Sequence, residues 1–405
     1  MRGRCVQYVL AALVCLGGLW LRGDLCRAAD DGLAAADGPV SSAGQVDAGV
    51  LDQITRRMQE FVDRKQISGA VTLVACRGRV IHLEAVGAAD LENGRPMRPE
   101  TMFCIASMTK PVTATAVMIL QDEGKLSIND PVSKYIPEFS GVALRDGKPR
   151  QAITLRHCLT HTAGLSGSQQ NEGSLRETVE KLARRPLDFE PGTKWQYSPG
   201  LSVCGRVVEI VSGKPFDQFL AERIFQPLGM PDTTFHPSPA QQQRLARLYQ
   251  PGEGGKSLAP ATHWLVDVSP DKSPNPSGGL FATVGDMARF YQMILNGGEL
   301  DGRRIVSAAA VREMTKIQTD DLKTGFTDGN AWGLGWGLVR QPQGVTAVLS
   351  PGSFGHGGAF GTQGWVDPQR QMIFVLMIQR TGFGNGDASD IRRTLQQLGV
   401  QAVGG

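Results

Sequence analysis

A serine and a lysine lie three residues apart in the stretch FCIASMTKPV, as Ser107 and Lys110. If a helix begins at Ser107, the lysine lies one turn further along the same face, and its amine can approach the serine hydroxyl. A serine hydroxyl is a weak nucleophile at neutral pH, and a lysine with a lowered pKa can act as its base. The same spacing also fits a capping serine beside a surface lysine, so the surrounding sequence must decide.

The chain contains this spacing a second time, as Ser269 and Lys272 in VSPDKSPNPSGG. The prolines and glycines of that stretch disfavour a regular helix. At the first pair, Pro111 falls in the first helical turn, where a missing N–H is harmless, and an apolar stripe follows. The stripe consists of Val112, Ala116 and Ile119. We therefore predict a helix at the first pair and a loop at the second.

Two later stretches present further groups that could take part in chemistry. FEPGTKWQYSPG carries Tyr197 in a loop just before a helix, and SPGSFGHGGAFGTQGW carries His356, Gly357 and Gly358 in a glycine-rich segment before a strand. Taken singly, the tyrosine fits a half-buried core aromatic and the histidine segment fits a turn. Together with the serine and lysine they form an ordered series, S-x-x-K, then Y-S-x, then H-x-G.

Hydrophobic periodicity predicts the elements that would hold these residues. Residues 51–66 are predicted as a helix and residues 69–87 as a β-hairpin, and the chain is mostly helical from Thr109 to about Leu295. Strands return in AWGLGWGLVR and in TQGWVDPQRQMIFVLMIQR, the second a hairpin turning at Asp367-Pro368, and DASDIRRTLQQLGV is predicted as a final helix. Strands at both ends with helices between them imply one sheet built from both termini, with a helical region inserted.

The composition is that of a globular protein behind an export signal. The chain has 405 residues, of which 41% are apolar and 20% charged, enough for a sizeable core. Residues 1–28 begin with two arginines, continue as an uncharged apolar run and end in small residues, which is typical of a secretory signal peptide. An uncleaved membrane anchor is the alternative. Residues 29–48 are predicted as a flexible lead-in and 49–400 as a single domain, which would be exported to the periplasm or the medium.

The net charge argues against nucleic-acid and membrane partners, and the spacing of the cysteines argues against a disulfide framework. Residues 1–28 hold four arginines and one aspartate, so their removal lowers the formal net charge from +3 to 0. We therefore expect no nucleic-acid partner, and no membrane contact apart from the leader. Four cysteines outside the leader are widely spaced in apolar stretches and are predicted as buried thiols rather than a disulfide framework. They are Cys76, Cys104, Cys158 and Cys204.

The ordered series resembles the serine β-lactamase-like family, in which class C β-lactamases, D,D-carboxypeptidases and family VIII esterases share one fold. The resemblance covers about Leu51 to Leu398. Further segments look like recurring parts of the family and follow its order: LTHTAGL, PGTKWQYS, IFQPLGMPDT, GGLFATVGDMARF and GLGWG. The resemblance implies an α+β fold of the β-lactamase/transpeptidase type, with a mainly antiparallel sheet, helices on both faces and the site below an inserted helical region.

The resemblance also implies catalytic roles. Ser107 would be the acylated nucleophile and Lys110 the group that takes its proton. Tyr197 would share the general-base and general-acid work, relaying the proton to the leaving group and activating water.

On the substrate side, His356, Gly357 and Gly358 would lie on an edge strand beside the substrate. The N–H groups of Ser107 and Ala359 would form the oxyanion hole. The family needs no cofactor for this chemistry, and we expect none.

Two departures from the family pattern bear on the substrate. The tyrosine motif often ends in asparagine, but Pro199 stands there and offers neither a side-chain amide nor an N–H. The third motif often begins with a lysine, whereas His356 is largely neutral near pH 7. Both favour a small ester. The first alternative is hydrolysis of a peptide-like amide, as by a D,D-carboxypeptidase or β-lactamase. The second alternative is a non-catalytic cell-wall or ligand-binding protein on the same scaffold.

Other candidate sites are weaker. His157 and His161 are four residues apart, as two zinc ligands on a helix would be, but Cys158 stands where a metalloprotease has its glutamate and no third ligand is evident. GFGNGD, near Gly382, lacks the preceding βαβ unit of a nucleotide site. We predict no metal site, and the oligomeric state stays open.

Overall fold

A computed structural model describes residues 46–404. The predicted leader, 1–28, lies outside these residues, as does all of the predicted lead-in, 29–48, except its last three residues. The first helix begins at Ala48 and is capped by the Asp47 side chain, which accepts the Val50 N–H. Among the described residues, no helix combines the length and apolar character needed to cross a bilayer.

Helices occupy the middle of the chain and both of its ends. They are α1 (Ala48–Asp63), α2 (Thr109–Asp122), α3 (Leu155–Leu159), α4 (Leu175–Ala183), α5 (Gly200–Ser212), α6 (Phe216–Leu220), α7 (Gln226–Leu228), α8 (Pro239–Gln242), α9 (Val284–Leu295), α10 (Ala308–Met314) and α11 (Asp390–Ala402). A π-helical turn, Ala221–Phe225, joins α6 to α7.

The strands are mostly short and cluster toward the two ends of the chain. They are β1 (Gly69–Cys76), β2 (Arg79–Asp90), β3 (Arg95–Pro96), β4 (Phe103–Cys104), β5 (Tyr249–Pro251), β6 (Leu258–Pro260), β7 (Phe281–Ala282), β8 (Glu299–Leu300), β9 (Arg303–Arg304), β10 (Asn330–Trp332), β11 (Gly337–Val339), β12 (Phe354–Gly357), β13 (Gln363–Asp367) and β14 (Met372–Met377).

The main sheet joins the first strands to the last ones, as predicted. Its order is β10-β11-β12-β13-β14-β1-β2-β3, and every neighbouring pair is antiparallel. The remaining strands form the two-stranded pairs β4-β7, β5-β6 and β8-β9. The predicted hairpins are confirmed, the first turning at Arg77 and Gly78, both with positive φ, and the second following Asp367.

Helices cover both faces of the sheet. Because successive side chains of a strand point to opposite sides, alternate residues of one strand pack against different helices. In β14, Met372, Phe374 and Leu376 pack with α1 and α11. The alternate residues Ile373, Val375 and Met377 join the larger core formed with α9 and the helical region. The predicted arrangement, helices on both faces of a mainly antiparallel sheet, is confirmed.

Helix α2 lies at the centre of the helical region. Every residue from Thr109 to Leu120 is buried, so the predicted apolar stripe is part of a helix that is enclosed on all sides. It packs against α5, and it also contacts β12 of the sheet. The N-terminal end of α2 therefore lies where the helical region meets the sheet.

One predicted strand is divided in two. AWGLGWGLVR forms β10 and β11 with a tight turn between them, because Gly335 has φ of 76° and Trp336 turns into the core, where it is fully buried. Trp336 stacks on Phe290 with an interplanar angle of 2°. At Gly335 the turn approaches the backbone carbonyl of Lys110 so closely that an added Cβ would lie 3.1 Å from it. The turn therefore packs directly against the N-terminal part of α2.

The prediction of buried free thiols is confirmed for Cys104, Cys158 and Cys204 and is wrong about the burial of Cys76. All four are free thiols, three of them buried and Cys76 half-buried. Burial raises the pKa of Cys104 to about 11, which keeps that thiol protonated and unreactive.

Candidate active site

Ser107 lies in a 3₁₀ turn, Ala106–Met108, that leads directly into α2. Ala106 has φ of 45°, in the left-handed region, which costs a non-glycine residue roughly 1–2 kcal/mol. The turn is held by its surroundings: Ala106 is fully buried, and the N–H of Ile105 donates to the Leu280 carbonyl at 3.0 Å. The half-buried Ser107 side chain is thereby fixed at the N-terminal end of α2.

The amine of Lys110 is completely buried beside this serine. Its Nζ lies 3.1 Å from Ser107 Oγ, 2.8 Å from Gln169 Oε1 and 2.6 Å from the carbonyl oxygen of Ser277. Burial holds the pKa of Lys110 well below its usual range, because the charged form is poorly solvated there. A neutral amine has two N–H groups and one lone pair. With both N–H groups donated to the two carbonyl-type oxygens, the lone pair is free for the proton of Ser107.

Tyr197 completes this group in the loop before α5. Lys110 Nζ lies 4.6 Å from the centre of its ring, and the His161 ring packs against it with centroids 4.5 Å apart. His161 Nδ1 accepts the backbone N–H of Ser198 at 3.1 Å, which fixes the loop next to the tyrosine. Burial raises the pKa of Tyr197, and the adjacent Ser107 hydroxyl lowers it by less, so the phenol stays protonated at neutral pH.

His356 is buried on β12, which pairs with both β11 and β13 and is therefore an inner strand of the sheet rather than the predicted edge strand. Burial lowers the pKa of His356 to about 3, so the imidazole is neutral. Its Nδ1–H donates to the Gly357 carbonyl at 2.7 Å, and among the described residues its Nε2 has no hydrogen-bond partner. The ring packs edge-to-face on Trp332, with centroids 5.5 Å apart.

The segment after β12 runs against the turn that carries the serine. The N–H of Gly358 donates to the Thr362 carbonyl at 2.7 Å, and a Cβ added to Gly358 would lie 2.5 Å from the carbonyl oxygen of Ile105. The next residue, Ala359, is exposed. The chain at Ala359 thus passes beside the turn holding Ser107. The pairing of their two N–H groups as an oxyanion hole stays a prediction.

Two contacts of Lys110 were not predicted from the sequence. Gln169 belongs to the loop between α3 and α4, whose path the sequence does not reveal, and Ser277 contributes only its backbone carbonyl. Both are held by the buried Asn275: its Nδ2 donates to the Gln169 carbonyl at 2.7 Å, and its Oδ1 accepts the Ser277 N–H at 2.9 Å. The turn signal in NPSGG was the only hint of this arrangement.

An aromatic wall borders Tyr197 on the side away from Lys110. Phe326 packs edge-to-face on the tyrosine ring with centroids 5.0 Å apart, and Trp332 does so at 6.1 Å. Trp195 contacts both of these side chains. Phe326 is 44% exposed, so the wall presents an apolar edge to solvent beside Tyr197.

The second serine–lysine pair has a different environment. Ser269 Oγ donates to Asp267 Oδ1, and Lys272 Nζ donates to the backbone carbonyls of Leu265 and Asp267 at 2.8 and 2.7 Å. The amine of Lys272 is thus bonded to backbone carbonyls of its own irregular loop, and the Ser269 hydroxyl is bonded to Asp267 instead. The prediction of a loop at this pair is confirmed.

The histidine pair considered for zinc has other hydrogen-bond partners. His157 Nδ1 accepts the Thr154 N–H at 3.2 Å as part of a capping box on α3, and His161 Nδ1 accepts from Ser198. Across residues 46–404, no three metal-ligating side chains of the His, Cys, Asp and Glu types converge.

Comparison with known proteins gives consistent matches over most of the chain. The family model described as β-lactamase matches residues 54–399. Esterase EstB of Burkholderia gladioli is 31% identical over 379 residues, 85% of this chain and 91% of the esterase. A putative D-alanyl-D-alanine carboxypeptidase of Escherichia coli O157:H7 is 28% identical over 81% of each chain. The structure of EstCE1, described as a hydrolase with promiscuous acyltransferase activity, superposes with a TM-score of 0.74 at 25% identity, covering 88% of this chain and 99% of its own.

Proposed function

The chain belongs to the β-lactamase family, whose members include serine hydrolases, and from this premise we propose that it hydrolyses small carboxylic esters through an acyl-enzyme on Ser107. The observation that carries the proposal is the position of Lys110 Nζ, which lies 3.1 Å from Ser107 Oγ and has two other oxygens, at 2.8 and 2.6 Å, to accept its N–H groups. A buried amine with a lowered pKa is a competent base for a serine hydroxyl.

The proposed reaction has two steps. Ser107 Oγ attacks the ester carbonyl carbon while its proton passes to Lys110 Nζ, and the bond to the alkoxy oxygen then breaks. The departing oxygen takes its proton from the Tyr197 phenol, which Lys110 replenishes. Water then attacks the acyl-enzyme, giving up a proton to the same pair, and the acid leaves as Ser107 regains its hydrogen.

Opposite shifts in pKa support this division of work. Burial lowers the pKa of Lys110 and raises that of Tyr197, which favours the proton-accepting form of the lysine and the proton-donating form of the tyrosine. Groups whose environments push their pKa values apart commonly act as a base and acid pair. In the proposed scheme the N–H groups of Ser107 and Ala359 stabilise the oxyanion.

The preference for an ester rests on the surroundings of these groups. Pro199 brings no side-chain amide to the site, the neutral His356 brings no positive charge, and Phe326 offers an apolar edge. The esterase EstB, which matches 85% of this chain, also supports an ester substrate. The carboxypeptidase relative is the reason to retain a peptide-like amide as the second candidate substrate.

Labelling with a fluorophosphonate tests whether the chain is a serine hydrolase. We expect the wild type to be labelled and Ser107→Ala not to be, because the probe phosphonylates an activated serine. Ser269→Ala, in the second serine–lysine pair, is the matched control and should be labelled like the wild type. Absence of labelling in folded wild-type protein would favour a non-catalytic binding protein instead.

Comparing two substrates ranks the candidate activities. We expect kcat/KM for a short-chain nitrophenyl ester to exceed that for a chromogenic cephalosporin by about 100-fold or more, since the site lacks the amide and cation that would bind the latter. The measurement is initial rates with both substrates on one preparation, with Ser107→Ala as the background. Efficient cleavage of the cephalosporin with little ester hydrolysis would make the peptide-like alternative the better description.

A further inference from the structure

A carboxylate lies directly against the edge of the proposed substrate-binding strand. Asp387 is in the 3₁₀ turn Gly386–Ala388, far along the chain from the motifs discussed above. A Cβ added to Gly357, the residue after His356 in β12, would overlap Asp387 Oδ1. The bare backbone of Gly357 is therefore what allows the acidic side chain to lie at this position.

Hydrogen bonds fix the Asp387 side chain in that place. Gln363 Nε2 donates to Asp387 Oδ1 at 2.9 Å, and Trp365 Nε1 donates to Gln363 Oε1 at 3.0 Å. Gln363 and Trp365 are both buried on β13, which pairs with β12. The carboxylate is thus held by the sheet rather than left on a free loop.

Asp387 shares a small cleft with the residues of the candidate site. The cleft is lined by Asp387, His356, Gly357, Phe326 and Trp332, among others. Phe326 and Trp332 also contact the ring of Tyr197, so the cleft is separated from the proposed general acid by a single layer of side chains. The negative charge of Asp387 reaches the phenol and helps to raise the pKa of Tyr197.

The nearby cation does not form an ion pair with this carboxylate. Arg392 is buried and stacks on Trp365 at 3.9 Å, and its Nη1 donates to the backbone carbonyl of Asp387 at 2.6 Å. Among the residues that the structure describes, no salt bridge joins the Asp387 side chain to a cation. Arg392 attracts Asp387 through space but leaves its Oδ2 without a charged partner.

We propose that Asp387 selects substrates by charge: the substrate group that lies along Gly357 is neutral or cationic, and a carboxylate there is rejected. This inference rests on the proposed esterase function. A fixed carboxylate that forms no ion pair repels an anionic group placed against it, and discrimination against unwanted ligands is commonly achieved in this way. The neutral His356 offers no compensating charge.

Matched esters test the proposal. Three nitrophenyl esters would carry a carboxylate, a neutral methyl ester or a trimethylammonium group at the same distance from the reacting carbonyl. A second series would carry the same groups on the alcohol side. For the wild type we expect kcat/KM for the anionic ester to be about tenfold or more below that of the neutral one in at least one series. In Asp387→Asn, which retains an oxygen for Gln363, the ratio should approach one.

The control is Asp390→Asn, which removes the same charge from an exposed side chain three residues further on. Asp390 should be replaceable without a change in the anionic-to-neutral ratio. If Asp387→Asn does not fold, Asp387→Ser removes the charge with a smaller side chain. Equal hydrolysis of anionic and neutral esters by the wild type, or an unchanged ratio in the Asp387 variants, overturns the charge selection alone. Failure to hydrolyse any ester or to react with fluorophosphonate overturns the proposed function.

Discussion

Lys110→Met is expected to lower kcat/KM for ester hydrolysis by about 10³- to 10⁴-fold, the range associated with loss of a general base. The substitution keeps the length and apolar character of the side chain, so α2 should remain packed. It removes the lone pair that faces Ser107 Oγ and leaves the oxygens of Gln169 and Ser277 without a donor. Steady-state kinetics with a nitrophenyl ester, together with the rate of fluorophosphonate labelling, measures the effect.

The second serine–lysine pair provides the matched control. Lys272→Met removes an amine that donates to the carbonyls of Leu265 and Asp267, so it should lower the melting temperature while labelling of Ser107 continues. If Lys110→Met retained most of its activity, another group would have to accept the serine proton, and the proposed mechanism would be wrong.

Tyr197→Phe should lower kcat by about 10²- to 10³-fold, because only the proton-donating hydroxyl is lost. The ring contacts with His161 and Phe326 do not involve the hydroxyl and should persist, so substrate binding should change little. Burst kinetics separates the steps, because slowed deacylation leaves a larger fraction of Ser107 acylated.

Tyr291 offers a control of the same chemistry. Its hydroxyl is fully buried and has no hydrogen-bond partner among the described residues, so Tyr291→Phe should leave kcat unchanged and fold at least as stably. If Tyr291→Phe lowered kcat as much as Tyr197→Phe, the loss at Tyr197 would reflect a structural effect of removing a buried hydroxyl. A wild-type kcat in Tyr197→Phe would remove it from the proposed mechanism.

Pro199 stands where many members of the family have an asparagine, and another residue supplies an amide to the site. Pro199 precedes α5 and has no side-chain amide, yet an amide oxygen does contact Lys110, because Gln169 supplies one from the loop between α3 and α4. Asn275 holds that loop to the segment of Ser277. The polar environment of the lysine is thus built from two loops that are remote from the tyrosine motif.

Several elements were predictable because their signals are local. The helices α1 and α11, the hairpins β1-β2 and β13-β14, and the loop before α5 follow from hydrophobic periodicity, side-chain alternation and turn residues. Their boundaries in the structure differ by few residues from the predicted ones. The division of AWGLGWGLVR into β10 and β11 was not predictable, because Trp336 turns inward only where Phe290 of α9 receives it.

The sequence by itself determined the chemical groups of the site: the order and spacing of Ser107, Lys110, Tyr197 and His356 identify a family and one type of chemistry. Only the tertiary structure decided their surroundings. Gln169, Asn275 and Asp387 reach the site from loops and a turn whose paths depend on contacts with distant strands. The physical reason is that local sequence sets short-range backbone preference, whereas burial, hydrogen-bond partners and electric field depend on residues brought together from across the chain. These long-range contacts lower the pKa of Lys110, keep His356 neutral and hold a carboxylate against Gly357.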